Sequence, residues 1–410
     1  ASAVLAQTGS WHAQGTGEEA HVADPARVFY READYDGQFV RSLDAVYAGS
    51  ADLGEVFATA RRVGPPEAGR WYAAWKATAD RAAAVGERAL ADGRRVTARG
   101  AYLRASEYAR QSFYFIRGEL DDPRLRAGYA AHVAAFASAA ALMAESVAEV
   151  RIPYEGTTLK GYFCAPDQGG AARPTLLMPC GYDSTAEAGW VNVPDALARG
   201  YNVLLFEGPG QGQALYEQRL FLRPDFEHVL GPVIDWLVGR PDVRADQVGL
   251  VGRSFAGYLA PRAATVERRI AALVCDPAQP DMSLRIPGGI VGRLAGRAVG
   301  SEMRISARRR EFFHARMAAH GVDTVEAYLA ELRRFTMIGQ AAAIRCPTLI
   351  IESQNDFAGG GGKLLLDALT CPKQLVELTH EQGIDGHCGG LAQQVWAGVV
   401  YDWLDRVLAP

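Results

Sequence analysis

The amino-acid sequence predicts an α/β protein in which a mostly parallel sheet carries helices on both faces, behind a helical N-terminal region. Three observations carry this reading. From about residue 25 to residue 149, apolar residues recur at helical spacing with almost no alternating runs. From Val150 onward the short apolar runs "TLLMPC", "NVLLFE", "QVGLVG", "AALVCD", "TLIIES" and "QLVELT" are separated by helix-length segments. Between the fourth and fifth of these runs, over about residues 277–346, lies an insertion that itself reads as helical. Strands that are apolar on both faces and separated by helices belong to a parallel sheet covered on both sides.

A chain of 410 residues, 49% of them hydrophobic, is long enough to bury a substantial core and to form two or three domains. Its formal charge of -4, with both signs spread along the chain, offers no basic stripe for nucleic acid and no acidic tail. No segment is apolar for a membrane-spanning length, and "ASAVLAQTGSWHAQGTGEEAH" lacks the basic and apolar regions of a signal peptide. Residues 1–24 are expected to be a flexible lead-in. Cys164, Cys180, Cys275, Cys346, Cys371 and Cys388 form no CxxC pair and sit in or beside strand-like runs, as reduced core residues of a cytoplasmic protein do. The expected partner is a small molecule, with no nucleic acid and no membrane.

Within residues 25–149, the expected helical cap domain, "GRWYAAWKATADRAAAVGERAL" and "AYLRASEYARQSFYFI" read as amphipathic helices burying Trp71, Trp75, Tyr108 and Phe113. Tyr108, Phe113 and Tyr114 are candidates to line a pocket, although core packing is the ordinary fate of such aromatics. Asp122 is placed to cap the helix that opens at Pro123, where a missing N–H costs nothing. Residues 150–410 form the expected catalytic domain. It begins with "EVRIPYEGTTLKGYFCAP", two strands joined by a turn at Glu155 and Gly156, antiparallel at one edge of the sheet. In the insertion, Asp323 and Glu326 fit a capping box, and Arg308, Arg309 and Arg310 read as a solvated helix face. Insertion and N-terminal helices would together roof the carboxyl edge of the sheet, where open α/β sheets hold ligands.

The chemistry centres on "LVGRSFAGYLAPRAA". Ser254 follows a strand and precedes a helix, the strand-to-helix turn of a nucleophile elbow. Such a turn requires tiny neighbours; Gly252 and Ala256 supply them, with Gly257 next, in a Gly-x-Ser-x-Ala pattern. In this arrangement the acid and then the histidine follow the serine along the chain. Asp356, just past the strand "TLIIES", and His387, in the loop "HEQGIDGHCGG", satisfy that order. His380 competes as the base, and Asp385 and Glu352 compete as the acid. A tetrahedral oxyanion needs two convergent donors, for which the backbone N–H groups of Phe255 and Tyr182 are the candidates, the latter behind Gly181. "EGPGQGQ" lacks the Lys-Ser/Thr ending of a phosphate loop and does not fit GxGxxG, so it reads as a tight turn at the pocket floor.

Through "GYDST", "EGPGQG", "GRSFAGYLAPRAA" and "GIDGHC", the chain resembles the α/β-hydrolase superfamily over about residues 150–410. With "WYAAWKATAD" and "YLRASEYAR" ahead of them, it is similar to the capped branch that holds 2,6-dihydroxypseudooxynicotine hydrolase and the fungal hydrolases that shorten polyketide pigment precursors. The resemblance implies a serine hydrolase without metal or organic cofactor, dimeric, with the N-terminal helices as a lid. It implies cleavage of a carbon–carbon bond next to a ketone, or of an ester, with Ser254 as nucleophile, Asp356 as acid and His387 as base. Ala256 stands where the pattern has a second glycine, and Glu207 where an aspartate commonly precedes "GPGQG". The expected function is hydrolysis of an aromatic or polyketide-like secondary metabolite. An acyltransferase or cyclase using the same residues is the alternative, and a ligand-binding protein on the hydrolase fold is a further one.

Overall fold

The computed structural model describes residues 27–286 and 288–408, so the lead-in expected at residues 1–24 lies outside the described residues. The N-terminal region holds α1 (Ala33–Asp44), α2 (Leu53–Val63), α3 (Ala68–Ala91), α4 (Arg95–Phe113) and α5 (Pro123–Ala140). The long helices α3, α4 and α5 pack side by side, and Trp71, Trp75, Tyr108 and Phe113 are buried between or beneath them. Trp71 Nε1 donates to the Gln111 carbonyl at 2.8 Å and Tyr108 Oη donates to Glu55 at 2.8 Å, whereas the buried Trp75 Nε1 has no partner. Asp52 caps α2, and Asp122 caps α5 with Pro123 in its first turn.

The sheet starts with the hairpin β1 (Ser146–Tyr154) and β2 (Thr157–Ala165), whose first strand begins ahead of Val150. Glu155 and Gly156 turn it, both with positive φ, 38° and 81°, the conformation that two-residue hairpin turns require. There follow β3 (Arg173–Pro179), α6 (Val193–Ala198), β4 (Asn202–Phe206), α7 (Gly212–Tyr216), α8 (Glu227–Val238), β5 (Val243–Arg253), α9 (Ala256–Ala264) and β6 (Ile270–Asp276). The insertion contributes α10 (Gly289–Ile305), α11 (Ala307–His320) and α12 (Val325–Leu332), and the chain continues with β7 (Thr348–Ser353), α13 (Gly362–Ala368), β8 (Lys373–Leu378) and α14 (Gln393–Leu408).

The eight strands run in the order β1-β2-β4-β3-β5-β6-β7-β8. β1 and β2 are antiparallel at the edge, and all pairings from β4 to β8 are parallel. Alternate side chains go to opposite cores. Leu177, Leu204, Leu250, Leu273 and Ile350 face α8 and α9, whereas Leu176, Val203, Val251, Val274 and Ile351 face α6 and α14. Both faces being covered accounts for the unbroken apolar runs.

In the insertion the cap of α12 is Thr324, whose side chain accepts the Ala327 N–H at 3.1 Å. The box expected from Asp323 and Glu326 is therefore not formed: the chain enters the helix at Val325, so Thr324 is the last extended residue and occupies the capping position, and the third helical residue, Ala327, has no side-chain acceptor to complete a box. The insertion touches the N-terminal helices through Tyr35 Oη and Glu311 at 3.1 Å, Arg308 and Asp34 at 2.7 Å, and His314 and Glu119 at 2.7 Å.

Candidate active site

Ser254 sits between β5 and α9 with φ at 58°, a left-handed conformation that a residue with a side chain adopts only when its surroundings impose it. Its N–H donates to the Asp276 carbonyl at 2.7 Å, and its own carbonyl accepts Gln279 Nε2 at 2.7 Å. The turn is tight. A Cβ on Gly252 would stand 2.2 Å from the Ala256 carbonyl oxygen, and one on Gly257 would stand 1.9 Å from the Pro277 oxygen. The demand for a bare Cα on the helix side thus falls on Gly257, and Ala256 fits without strain.

The structure brings Ser254, His387 and Asp356 together and leaves the rivals elsewhere. His387 Nε2 lies 2.7 Å from Ser254 Oγ, and Nδ1 lies 2.7 Å from Asp356 Oδ1. An ionised carboxylate only accepts, so Nδ1 carries the ring proton and Nε2 is free to accept the serine hydroxyl. Burial alone would lower the His387 pKa, but the Asp356 carboxylate outweighs it and holds the group well above the usual 6.5. His380 instead faces Asn355, which also donates to Asp385 at 3.0 Å, so that Asp385 braces the histidine loop. Glu352 accepts the N–H groups of Gly360 and Gly362 at 2.8 and 2.6 Å. A Cβ on Gly359 or Gly362 would collide with that carboxylate, at 2.7 and 2.5 Å, so the glycine run wraps Glu352 and thereby shapes the loop that carries Asp356. Burial pushes the Glu352 carboxyl up to about 7 against the pull of those N–H groups.

Arg253, between the glycine and serine of the elbow, was not singled out by sequence. Its guanidinium reaches Asp276 at 3.2 Å, the Cys388 carbonyl at 2.6 Å, Gln393 at 3.0 Å and Asn192. It joins the serine turn to the histidine loop, and no local pattern announces contacts made across such sequence distances. Asp356, His387 and Cys388 also present three metal-ligand atoms within 4.8 Å. The imidazole nitrogens are engaged as above and Cys388 Sγ points to the Asp276 carbonyl at 3.4 Å, so an ion there would displace those bonds and the arrangement suits proton transfer instead.

The loop after β3 lies against the serine: a Cβ on Gly181 would be 3.0 Å from Ser254 Cβ. The rings of Tyr182 and Phe255 pack with centroids 4.6 Å apart. Among the described residues, no acceptor takes the backbone N–H of either Tyr182 or Phe255. Behind this loop is a buried polar cluster. Glu207 accepts the N–H groups of Ala186 at 3.1 Å and Gln213 at 2.7 Å, and Tyr129 Oη at 3.0 Å. Lys160 binds Glu187 and lies beside Glu207, and burial raises the Glu207 carboxyl against the opposing pull of Lys160. Gln211 Nε2 donates to the Cys180 carbonyl at 2.6 Å. The segment "EGPGQGQ" expected at the pocket floor is therefore one layer deeper, tying down the loop at Tyr182 without lining the main cavity.

That cavity, about 1660 Å³, opens onto Ser254 and His387. Its walls come from the N-terminal helices, with Arg41 and Asp44, and from the insertion, with Phe312 and Tyr328. Tyr114 lines it, while Tyr108 and Phe113 belong to the core. Its volume exceeds the roughly 300–1,000 Å³ of ordinary ligand pockets, which suits a large substrate.

Residues 175–391, more than half of the chain, match the alpha/beta hydrolase family. The chain belongs to that family. This α/β-hydrolase is 33% identical to Hydrolase acrC of Aspergillus aculeatus over 92% of its own length and 97% of that protein. It is 31% identical to the 20-hydroxy-prefusarin hydrolase FUS2 of Gibberella moniliformis, covering 92% of itself and 96% of that protein. The fold of the hydrolase also matches a crystal structure of 2,6-dihydroxy-pseudo-oxynicotine hydrolase, with a TM-score of 0.73, 21% identity, and coverage of 89% and 95% of the two chains. No helix among its described residues is long and apolar enough to cross a membrane.

Proposed function

We propose that this α/β-hydrolase is a serine hydrolase of an aromatic or polyketide-like secondary metabolite, acting on a ketone-flanked carbon–carbon bond or an ester through an acyl-enzyme. One observation carries the reading: His387 lies 2.7 Å from both Ser254 Oγ and Asp356 Oδ1, through opposite ring nitrogens. Ser254 Oγ attacks the substrate carbonyl carbon as His387 Nε2 takes its proton, and Asp356 stabilises the imidazolium. The oxyanion accepts the N–H groups of Phe255 and Tyr182. His387 returns the proton to the departing carbon or oxygen, and water then cleaves the acyl-enzyme by the same steps in reverse.

The relatives support the reading: one of them is named a 20-hydroxy-prefusarin hydrolase, and the cavity has room for a large substrate. The N-terminal helices act as a lid, excluding water from the acyl-enzyme. Leu284, Val291, Leu294 and Ile305, all more than half exposed on or beside α10, offer an apolar surface for a homodimer. The test of the chemistry is intact-mass spectrometry after treatment with a fluorophosphonate. A single adduct is expected on the native protein, absent in Ser254→Ala and much slower to form in His387→Ala. No adduct on the native chain, or one that survives in folded Ser254→Ala, overturns the reading.

A further inference from the structure

Arg41, on α1, faces the cavity that holds Ser254. Among the described residues no hydrogen bond or ion pair engages its guanidinium. This is unusual company for an arginine, because the neighbouring charges are all paired. Glu107 takes Arg110 through Nε and Nη2, both at 2.8 Å. Asp183 takes Arg117 at 2.7 Å and Arg316 through both of its oxygens. Four guanidinium groups therefore surround two carboxylates that are already committed. A second atom is also left over: Arg110, 2% exposed and part of the cavity lining, has an Nη1 with no partner.

Asp44 is the group best placed to neutralise Arg41, one turn along the same helix, and it forms no ion pair with it. Its Oδ1 is buried without a partner. Burial pushes the Asp44 carboxyl up to about 8, against the pull of Arg253 and Arg41, so at neutral pH it is mostly an uncharged O–H donor. Burial, together with the like charge of Arg110, lowers the Arg41 pKa. An unpaired, desolvated cation costs stability, and structures keep such groups where a ligand supplies the missing charge. Arginine's planar fork matches a carboxylate better than a lysine would.

We propose that Arg41, backed by the free Nη1 of Arg110 and by the unpartnered Oδ1 of Asp44 one turn along α1, binds a carboxylate carried by the substrate. This deepens the hydrolase reading and rests on it for the word substrate. The acyl group to be cleaved reaches Ser254 while a carboxylate elsewhere on the same molecule is anchored at α1. The surplus of positive charge suits an anion, so a neutral metabolite of the same shape is a poorer ligand.

Calorimetric titration of the Ser254→Ala protein with octanoate and with octanamide reads the subsite without turnover. Octanoate is expected to bind at least tenfold more tightly, and Arg41→Met added to Ser254→Ala is expected to remove that preference, with Arg41→Lys restoring part of it. Arg41→Met should melt no lower than its parent, since it removes an unpaired charge. Equal binding of the two ligands, or a preference that survives Arg41→Met in folded protein, overturns the proposal. Turnover of the neutral ester 4-nitrophenyl octanoate, present in native protein and lost in Ser254→Ala, tests the hydrolase chemistry separately. Octanoate preference without ester turnover would leave the subsite standing and sink the hydrolase reading, and the reverse result would do the opposite.

Discussion

Asp356 holds His387 by one carboxylate oxygen, with Oδ1 2.7 Å from Nδ1, while its Oδ2 accepts the backbone N–H of the next residue, Cys388, at 2.9 Å. One side chain thereby fixes both the imidazole and the backbone that carries it. The ring cannot turn without breaking the first bond, and its loop cannot drift without breaking the second.

Asp356→Asn keeps the shape and reverses the hydrogen-bond logic at Nδ1. An amide N–H can face Nδ1 only if the ring proton moves to Nε2, where it blocks the serine. The expected result is a fall in kcat on the order of 10⁴-fold, with the melting temperature changed far less. Ester turnover and circular-dichroism melts on the same preparation check it. A variant retaining a tenth of native activity would show that Asp356 does not orient the base.

The pH dependence follows from the sign of the His387 shift. The protonated ring cannot accept the serine proton, and its folded pKa is raised above 6.5. Activity should therefore rise with pH through a limb centred above 6.5. The stabilisation from the charged His387–Asp356 pair runs the other way: it is fully present below the ordinary histidine range and is lost as pH rises through the raised value. A profile of kcat/KM against pH locates the limb, and a midpoint below 6.5 would contradict the electrostatic account.

The two small residues of the elbow should respond differently. Gly257→Ala places a methyl carbon 1.9 Å from the Pro277 oxygen, and the forced shift should cost about 1–3 kcal/mol together with much of the activity. Ala256→Gly merely adds backbone freedom in the first turn of α9, costing about 0.5–1 kcal/mol and leaving the serine reactive. Urea unfolding and fluorophosphonate labelling of both variants separate these outcomes.

Lys160 is 1% exposed and faces Glu187, itself wholly buried, with Glu207 beside them. Lys160→Met strands two buried carboxylates without a cation, at a cost on the order of 3–5 kcal/mol. Adding Glu187→Gln should recover part of that loss, because it removes one of the stranded charges. Chemical denaturation of the single and double variants measures both.

Much of this was legible from residue order. Strands buried on both faces announce themselves as apolar runs, and a serine between such a run and a helix marks the turn at Ser254, whose φ is 58°. Which of His387 and His380 lies against Ser254 was less legible. Both lie in one loop, and the backbone there passes through the positive-φ glycines Gly383 and Gly386, whose direction no spacing rule supplies. Arg253 and Glu352 were opaque for a related reason. Their value lies in bonds to Cys388, Gln393, Gly360 and Gly362, which depend on where distant segments come to rest. Asp323 and Thr324 are both good helix caps, and only the entry point of the chain at Val325 selects between them.

The cavity walls and the Ser254–His387–Asp356 group come from different stretches of the chain. Arg41 and Asp44 precede the sheet, Phe312 and Tyr328 lie in the insertion, and Ser254, Asp356 and His387 sit on loops of the sheet itself. The two wall segments meet through Tyr35, itself buried, and Glu311, and through Arg308 with Asp34 and His314 with Glu119, the last two being half-exposed ion pairs of a kind that contributes little each. A lineage can therefore remodel its appetite by altering helices that never touch Ser254, and such diversification leaves the Ser254–His387–Asp356 hydrogen bonds untouched.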